Sequence, residues 1–298
     1  MLDDVKTHII GCLGADSLSI TELKPFITLG SGCDVLDCQF IADNTSFTSG
    51  VLKIYRKDFD NYSGIGTVRT AKKFQLACLE LNTGDIYLPE VMGCYVFDEE
   101  ASVLTEKLVA IEWDAQTRIA AARLLSQLHS VSLSGLSSEF QELIRESQTN
   151  RDRIRNGVVG TGEYLDNKYP DWQVNYPQLF KYTMEIIDSV EPRSSLETLV
   201  HGDYFSKNIL RTKDGVYIID WDLLALGDPM WDLGFLVGAE PDIDENEVEA
   251  VIAEYRRCCP IDEDILSWHR KCWYTFQELI KFVKTLDSRF SLLDRLES

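Results

Sequence analysis

The 298-residue sequence has no excess of positive charge, no apolar run approaching 18 residues, no C-x-x-C pair, no internal repeat and no low-complexity tract. With 29 basic against 49 acidic residues the formal net charge is -20. A protein that grips phosphate backbones needs the opposite sign, so no nucleic acid is expected as a partner. Without a long apolar run no membrane-spanning helix is expected. The opening MLDDVKTHII carries acids where a secretory signal carries bases, which predicts a cytoplasmic protein with no membrane partner. The eight cysteines (12, 33, 38, 78, 94, 258, 259 and 272) lack paired metal-site spacing and the density of a small secreted scaffold. Reduced thiols are expected rather than disulfides or structural zinc. The acid excess names no substrate, because residues 1–108 carry 16 acids and 9 bases and residues 109–298 carry 33 and 20. A charge spread so evenly most commonly serves solubility. Oligomeric state is left open.

What is present is enough apolar content, 45% of residues, for one large core or two moderate ones. Leu2, Val5, Ile9 and Leu13 fall near one helical face, so a short amphipathic helix is expected to open the chain. LKPFITL, VLDCQFIA and GVLKIYR are β-prone runs separated by Gly30, Gly32, Asn44 and Gly50, the pattern of consecutive antiparallel strands. A helix is predicted over 68–81, then a hairpin from VMGCYVF and ASVLTEKL. From Asp114 onward apolar positions recur at helical spacing, with stripes near 139–154, 176–190, 245–257 and 262–286. Within that helical part, TLVHGDYFSKNILRTKDGVYIIDWD holds a polar loop, a turn at Asp214-Gly215 and a strand over 216–219. The expected fold class is α+β, with a small antiparallel-sheet lobe over 1–108 and a larger, mainly helical lobe over 109–298.

The chemistry concentrates in His201-Gly202-Asp203-Tyr204-Phe205-Ser206-Lys207-Asn208, followed by Asp220 at a strand end twelve residues after Asn208. Phosphoryl transfer needs a carboxylate facing the attacking hydroxyl and oxygen ligands that hold magnesium on the phosphates. Asp203 suits the first task; the carbonyl oxygen of Asn208 and the carboxylate of Asp220 suit the second. Asp to Asn at +5, with a later Asp, is the spacing of a kinase catalytic loop. Turn-capping side chains are the bland alternative.

HGDYFSKNIL, YIIDWD and GDPMWDLGFL resemble the aminoglycoside phosphotransferase and choline kinase family, small-molecule relatives of the protein kinases. The match is specific from 199 to 236 and is one of order and spacing elsewhere. The resemblance implies a bilobal protein-kinase-like fold, ATP and Mg2+ as cofactors, and a small-molecule hydroxyl as acceptor. It makes Asp203 the catalytic base, Asn208 and Asp220 the metal ligands, His201 a brace for the loop, and Asp232 a structural group bonded to the loop backbone. His129, at the end of a family-like LSQLHSV helix, is expected to be a buried structural imidazole.

Lys53 in GVLKIYR occupies a predicted third strand, as the family's phosphate-binding lysine does, against the alternative of an edge-strand surface lysine. Its partner acid stays open: Glu80 is the carboxylate of the following helix, while Gln75 stands nearer the usual place. Gly30-Ser31-Gly32 is either a phosphate-contacting loop or an ordinary hairpin turn. Glu106 and Leu108, where related folds hinge beside adenine, are candidates to bind the base through a backbone carbonyl and amide. Asp222 is open to three readings: a second metal contact, an acceptor-site group or a solvated carboxylate.

Only seven residues separate Asp220 from Asp228, little room for the activation segment of a protein kinase. A protein kinase or a nucleotide-binding pseudokinase is the alternative function. For the acceptor, Trp113, Trp172, Trp231, Trp268, Trp273 and Tyr274 are candidates to cradle a quaternary ammonium, and Glu240, Asp242, Asp244, Glu278 and Asp114 to pair with amines. The acidic run 240–249 and the aromatic segment 265–282 favour an amine-bearing alcohol.

Overall fold

The computed structural model describes residues 2–25, 33–43, 48–57, 65–82, 86–147, 153–192, 197–238 and 243–286. Elements are numbered in chain order. Helix α1 (Leu2–Leu13) precedes strands β1 (Leu18–Pro25), β2 (Cys33–Ala42) and β3 (Thr48–Tyr55); then come α2 (Thr67–Glu80), β4 (Val91–Phe97) and β5 (Glu100–Glu106). The five strands form one antiparallel sheet in the order β1-β2-β3-β5-β4. β1 starts five residues before the expected LKPFITL run. Its alternation is displaced by an irregularity between Ile20 and Glu22, which hides the strand from a strict period of two.

The sheet is covered on both faces. α1 buries Val5 and Ile9 against Cys38, Phe40, Leu52 and Ile54. It also crosses β4 so closely that a Cβ at Gly93 would lie 1.8 Å from the Cys12 carbonyl oxygen. α2 buries Ala71, Phe74 and Ala77 on the opposite side, in a core that continues into the helical part through Leu125 and Trp221.

Residues 107–114 run without helix or strand to α3 (Ala115–His129), whose start is fixed by a reciprocal cap. Asp114 accepts from Thr117 N at 2.8 Å, and Thr117 Oγ1 accepts from Asp114 N at 3.3 Å. Next are α4 (Ser138–Glu146), α5 (Arg153–Lys168), α6 (Trp172–Asn175) and α7 (Pro177–Asp188). Two short hairpin-like sheets follow: β6 (Thr198–Val200) pairs with β9 (Ala225–Gly227), and β7 (Ile209–Arg211) with β8 (Val216–Ile218). α8 (Pro229–Gly238), α9 (Glu245–Arg256) and α10 (Glu263–Leu286) complete the described chain. The single stripe expected over 139–154 is two helices, with α5 beginning near its end.

A second core joins α5, α7, α8 and α10 around Trp172, Trp231, Trp268 and Trp273. Among the described residues no helix is long and apolar enough to cross a membrane, and no cysteine is disulfide-bonded.

Candidate active site

β6 delivers His201, Gly202 and Asp203, and one end of the antiparallel β7–β8 ladder delivers both Asn208 and Asp220. Ile209 pairs with Ile218, and Ile219 N donates to Asn208 O at 2.9 Å, so Asn208 lies beside the chain entering Asp220. The Asn208 amide nitrogen donates to Asp203 twice, to its carbonyl and to Oδ2, both at 2.9 Å. With the amide hydrogens turned to Asp203, the carbonyl oxygen is the part of Asn208 left to face another donor or a cation. His201 spans the loop. Its Nδ1 accepts from Asp203 N at 3.2 Å, which assigns the proton to Nε2, the donor to Ile219 O at 3.0 Å.

The loop is pinned from below by a buried carboxylate. Asp232 accepts from His201 N at 2.7 Å and Gly202 N at 2.9 Å, and His129 approaches it at 3.3 Å while contacting Tyr255 Oη at 2.7 Å through its other nitrogen. Trp231 Nε1 donates to Gly202 O at 3.0 Å, and Tyr204 Oη to Ala121 O at 2.7 Å. Gly202 has φ 85°, and a Cβ there would lie 2.6 Å from Leu223 O. Only glycine meets both conditions.

Asp220 does not continue β8. Its backbone is left-handed, φ 64° and ψ 69°, and a 3-10 turn follows over Trp221–Leu223. Asp222 is folded inward by that turn, so the two carboxylates meet at Lys53 without continuation of the strand. Lys53, on the central strand β3 opposite Val35 and Val103, reaches both acids: Nζ lies 2.7 Å from Asp220 Oδ1 and 2.6 Å from Asp222 Oδ2. Tyr55, two residues along and on the same face of the strand, donates to Asp222 Oδ1 at 2.7 Å.

These contacts displace several expectations. Lys53 is neither at an edge nor paired with α2. Glu80 sits at the end of α2 and accepts from Ser137 N (2.8 Å) and Ser137 Oγ (2.6 Å), capping α4; Gln75 accepts from Lys72 at 3.4 Å. The acids beside Lys53 come from the 220–223 turn. Asp222 is buried, which removes the solvated-carboxylate reading. Gly30, Ser31 and Gly32 lie outside the described residues, as do Glu240 and Asp242. Glu106 is the last residue of β5, with its amide donating to Glu90 O at 2.9 Å, and Leu108 follows in the unpaired stretch.

Of the acceptor candidates, Trp172, Trp231, Trp268 and Trp273 are core residues. Trp113 donates to Ile209 O at 2.9 Å and stacks under Arg118. Asp114 caps α3 and Asp244 caps α9. Tyr274 is exposed, and Glu278 faces Lys281 one helical turn away. A cleft of about 490 Å³ opens beside the loop, lined by Trp113, Asp114, Arg118, Ser206, Lys207 and Glu247.

Electrostatics follow from burial. Desolvation opposes the charge on Lys53, but Asp220 and Asp222 outweigh it and hold the amine above its ordinary pKa. Burial raises the Asp222 carboxyl, against the pull of Lys53, and raises the Tyr55 phenol, which also faces Asp222. A second lysine was not anticipated. Lys73, on the inner face of α2, is fully buried and donates to Ser147 Oγ and Leu224 O, both at 2.8 Å. Burial pushes its amine down to about 7, with Asp222 opposing that shift. The signal was in the sequence: Thr70, Lys73, Phe74 and Ala77 mark one helical stripe, and a lysine within it is out of place.

Comparison with known proteins bears on the family and the fold. The phosphotransferase enzyme family, APH, matches residues 90–269, more than half of the chain. A Protein LicA homolog of Mycoplasma capricolum subsp. capricolum is 22% identical over 107 residues, 36% of this chain and 44% of that protein. The matched region thus spans less than half of that relative's length. Among solved structures, a spectinomycin phosphotransferase in complex with ADP and spectinomycin superposes with TM-score 0.62 at 16% identity, covering 99% of this chain and 91% of that one. An aminoglycoside-3'-phosphotransferase of type VIII gives TM-score 0.56 at 16% identity, covering 92% and 97%. A streptomycin-ATP-APH(2")-IIa ternary complex gives 0.54 at 16% identity, covering 99% and 96%. The structural likenesses establish a bilobal, protein-kinase-like fold, and the family match establishes membership: the chain belongs to the phosphotransferase enzyme family.

Proposed function

We propose that this phosphotransferase is a small-molecule kinase, transferring the γ-phosphoryl group of ATP to a hydroxyl of a small molecule at the junction of the 201–208 loop and the 220–223 turn. The observation that carries the reading is the linkage of Asp203 to Asn208 at 2.9 Å, of Asn208 to the chain entering Asp220, and of Asp220 to Lys53 at 2.7 Å. Asp203 takes the proton of the acceptor hydroxyl as that oxygen bonds to the γ-phosphorus. The bond from phosphorus to the β–γ bridging oxygen breaks, and ADP leaves with the electron pair. Lys53 offers its ammonium to the α- and β-phosphates. His201 and Asp232 keep the loop in register without touching substrate.

The donor set, a neutral amide oxygen from Asn208 and a carboxylate from Asp220, is all oxygen and suits magnesium. When bound, Mg2+ would neutralise phosphate charge as the bridging oxygen departs. We place the lobe boundary near 108/109, where β5 gives way to the unpaired stretch. The backbones of Glu106 and Leu108 there are our candidates for adenine contact, with Gly30, Ser31 and Gly32 as further candidates for phosphate.

For the acceptor we favour an amine-bearing alcohol held in the cleft beside Ser206 and Lys207, whose carboxylates, Asp114 and Glu247, are paired with Arg211 and Arg118 in the free protein. The molecules held beside nucleotide in the similar structures, spectinomycin and streptomycin, are likewise small. The protein-kinase and pseudokinase readings find no support in the family.

The test is an ATP-coupled screen of amine-bearing, neutral and anionic alcohols. Asp203→Ala should lower turnover of the best acceptor by about 10² to 10⁴ with nucleotide affinity little changed. Unchanged turnover would remove Asp203 from its role, and turnover confined to neutral or anionic alcohols would overturn the acceptor preference.

A further inference from the structure

We propose that Asp222 is the resident counter-ion that positions Lys53, in place of a carboxylate from helix α2, and that Tyr55 and Lys73 fix Asp222 for this task. The inference deepens the nucleotide-binding role given to Lys53 above and rests on it.

The argument begins with what α2 lacks at this point. Its carboxylate, Glu80, is committed to Ser137 on α4, and Gln75 bears no charge. What α2 sends inward is an amine donor. Lys73 donates to the carbonyl of Leu224, the residue that closes the turn containing Asp222, and to Ser147. Helix α2 thus offers the turn a hydrogen-bond donor and no carboxylate, unlike the lysine–glutamate pair of the family it resembles.

Lys53 has two acids within reach, and they are not equivalent. The Asp220 side chain is 41% exposed and belongs to the proposed metal site; that of Asp222 is 12% exposed and receives the Tyr55 hydroxyl at 2.7 Å. Once Asp220 turns to a cation, the contact at 2.6 Å to Asp222 is the one that still holds Nζ in place. Tyr55 and Lys53 share one face of β3, so a single carboxylate can bridge both, one oxygen to each. Without Asp222, Lys53 would collapse onto Asp220 and compete with the metal.

The test is a double-mutant cycle read by calorimetric titration of Mg-ATP, which does not require the acceptor to be known. Asp222→Asn should weaken Mg-ATP binding by about tenfold in the native background and by less than twofold in a Lys53→Met background. Equal losses in both backgrounds would overturn the proposal and make Asp222 a direct metal or nucleotide ligand. Unchanged or tighter binding of Mg-ATP by Asp222→Asn would overturn it as well. If Asp222→Asn fails to fold by thermal melting, Tyr55→Phe takes its place. It removes one hydrogen bond and should give a two- to fivefold loss that vanishes when Lys53 is Met; a loss that persists there counts against the proposal. Failure of the nucleotide-site reading itself would look different, since the unmodified protein would then bind no Mg-ATP.

Discussion

Single residues around the 201–208 loop are where substitution separates geometry from chemistry. Gly202→Ala introduces both a left-handed alanine and a Cβ 2.6 Å from Leu223 O. It should cost about 1–3 kcal/mol in urea unfolding and lower turnover, while leaving the carboxylates chemically intact. Asp232→Ala deletes a buried acceptor of two backbone amides and should cost at least about 2 kcal/mol, measured in the same way.

Lys73 gives a pH signature. Its amine is held at about 7 in the folded protein against an ordinary 10.5, so between those values the unfolded chain carries a proton that the folded chain has released. Unfolding takes up that proton, and this residue makes stability rise with pH across the window. Below about 7 it contributes no slope. Lys73→Met should remove the rise in urea titrations at pH 7–10; an unchanged slope would show that the amine keeps its charge. Asp203, Asn208 and Asp220 were legible because they lie within one loop and ladder of fixed spacing. The contacts of Lys53 with Asp222 and of Lys73 with Leu224 were not, because they join residues 169 and 151 positions apart.

Among the elements, β2 and β3 were readable from β-prone runs cut by glycine and asparagine, β4 and β5 from a hairpin pattern, and α3 from its stripe. α5 was not, since RIRNGVVGTGEYLDNK carries three glycines, each of which lowers intrinsic helix propensity by about 1 kcal/mol relative to alanine. Tertiary packing of Ile154, Val158 and Leu165 in the second core overrides that deficit. The 220–223 turn escaped as well, because a left-handed Asp220 is not written in its apolar neighbours. Position 220 should accept asparagine, which tolerates that backbone, far better than valine. Thermal melting of Asp220→Asn and Asp220→Val should place the second well below the first even though both lack the charge.

On the scale of the molecule, the net charge of -20 acts at a distance that no single contact reveals. If the acceptor is a cation, its kcat/KM should fall as ionic strength rises from 10 to 200 mM, because screening removes long-range attraction. A neutral alcohol should show no such dependence, so the same salt series run on two acceptors separates steering from chemistry.

The first helix bears on that whole as well. By sealing Phe40, Leu52 and Ile54 from water, α1 makes the strand that carries Lys53 dependent on the first dozen residues of the chain. Trimming those residues would lay bare a greasy sheet face on the side away from the cleft, and the expected phenotype is clumping of the protein before any defect in catalysis can be measured.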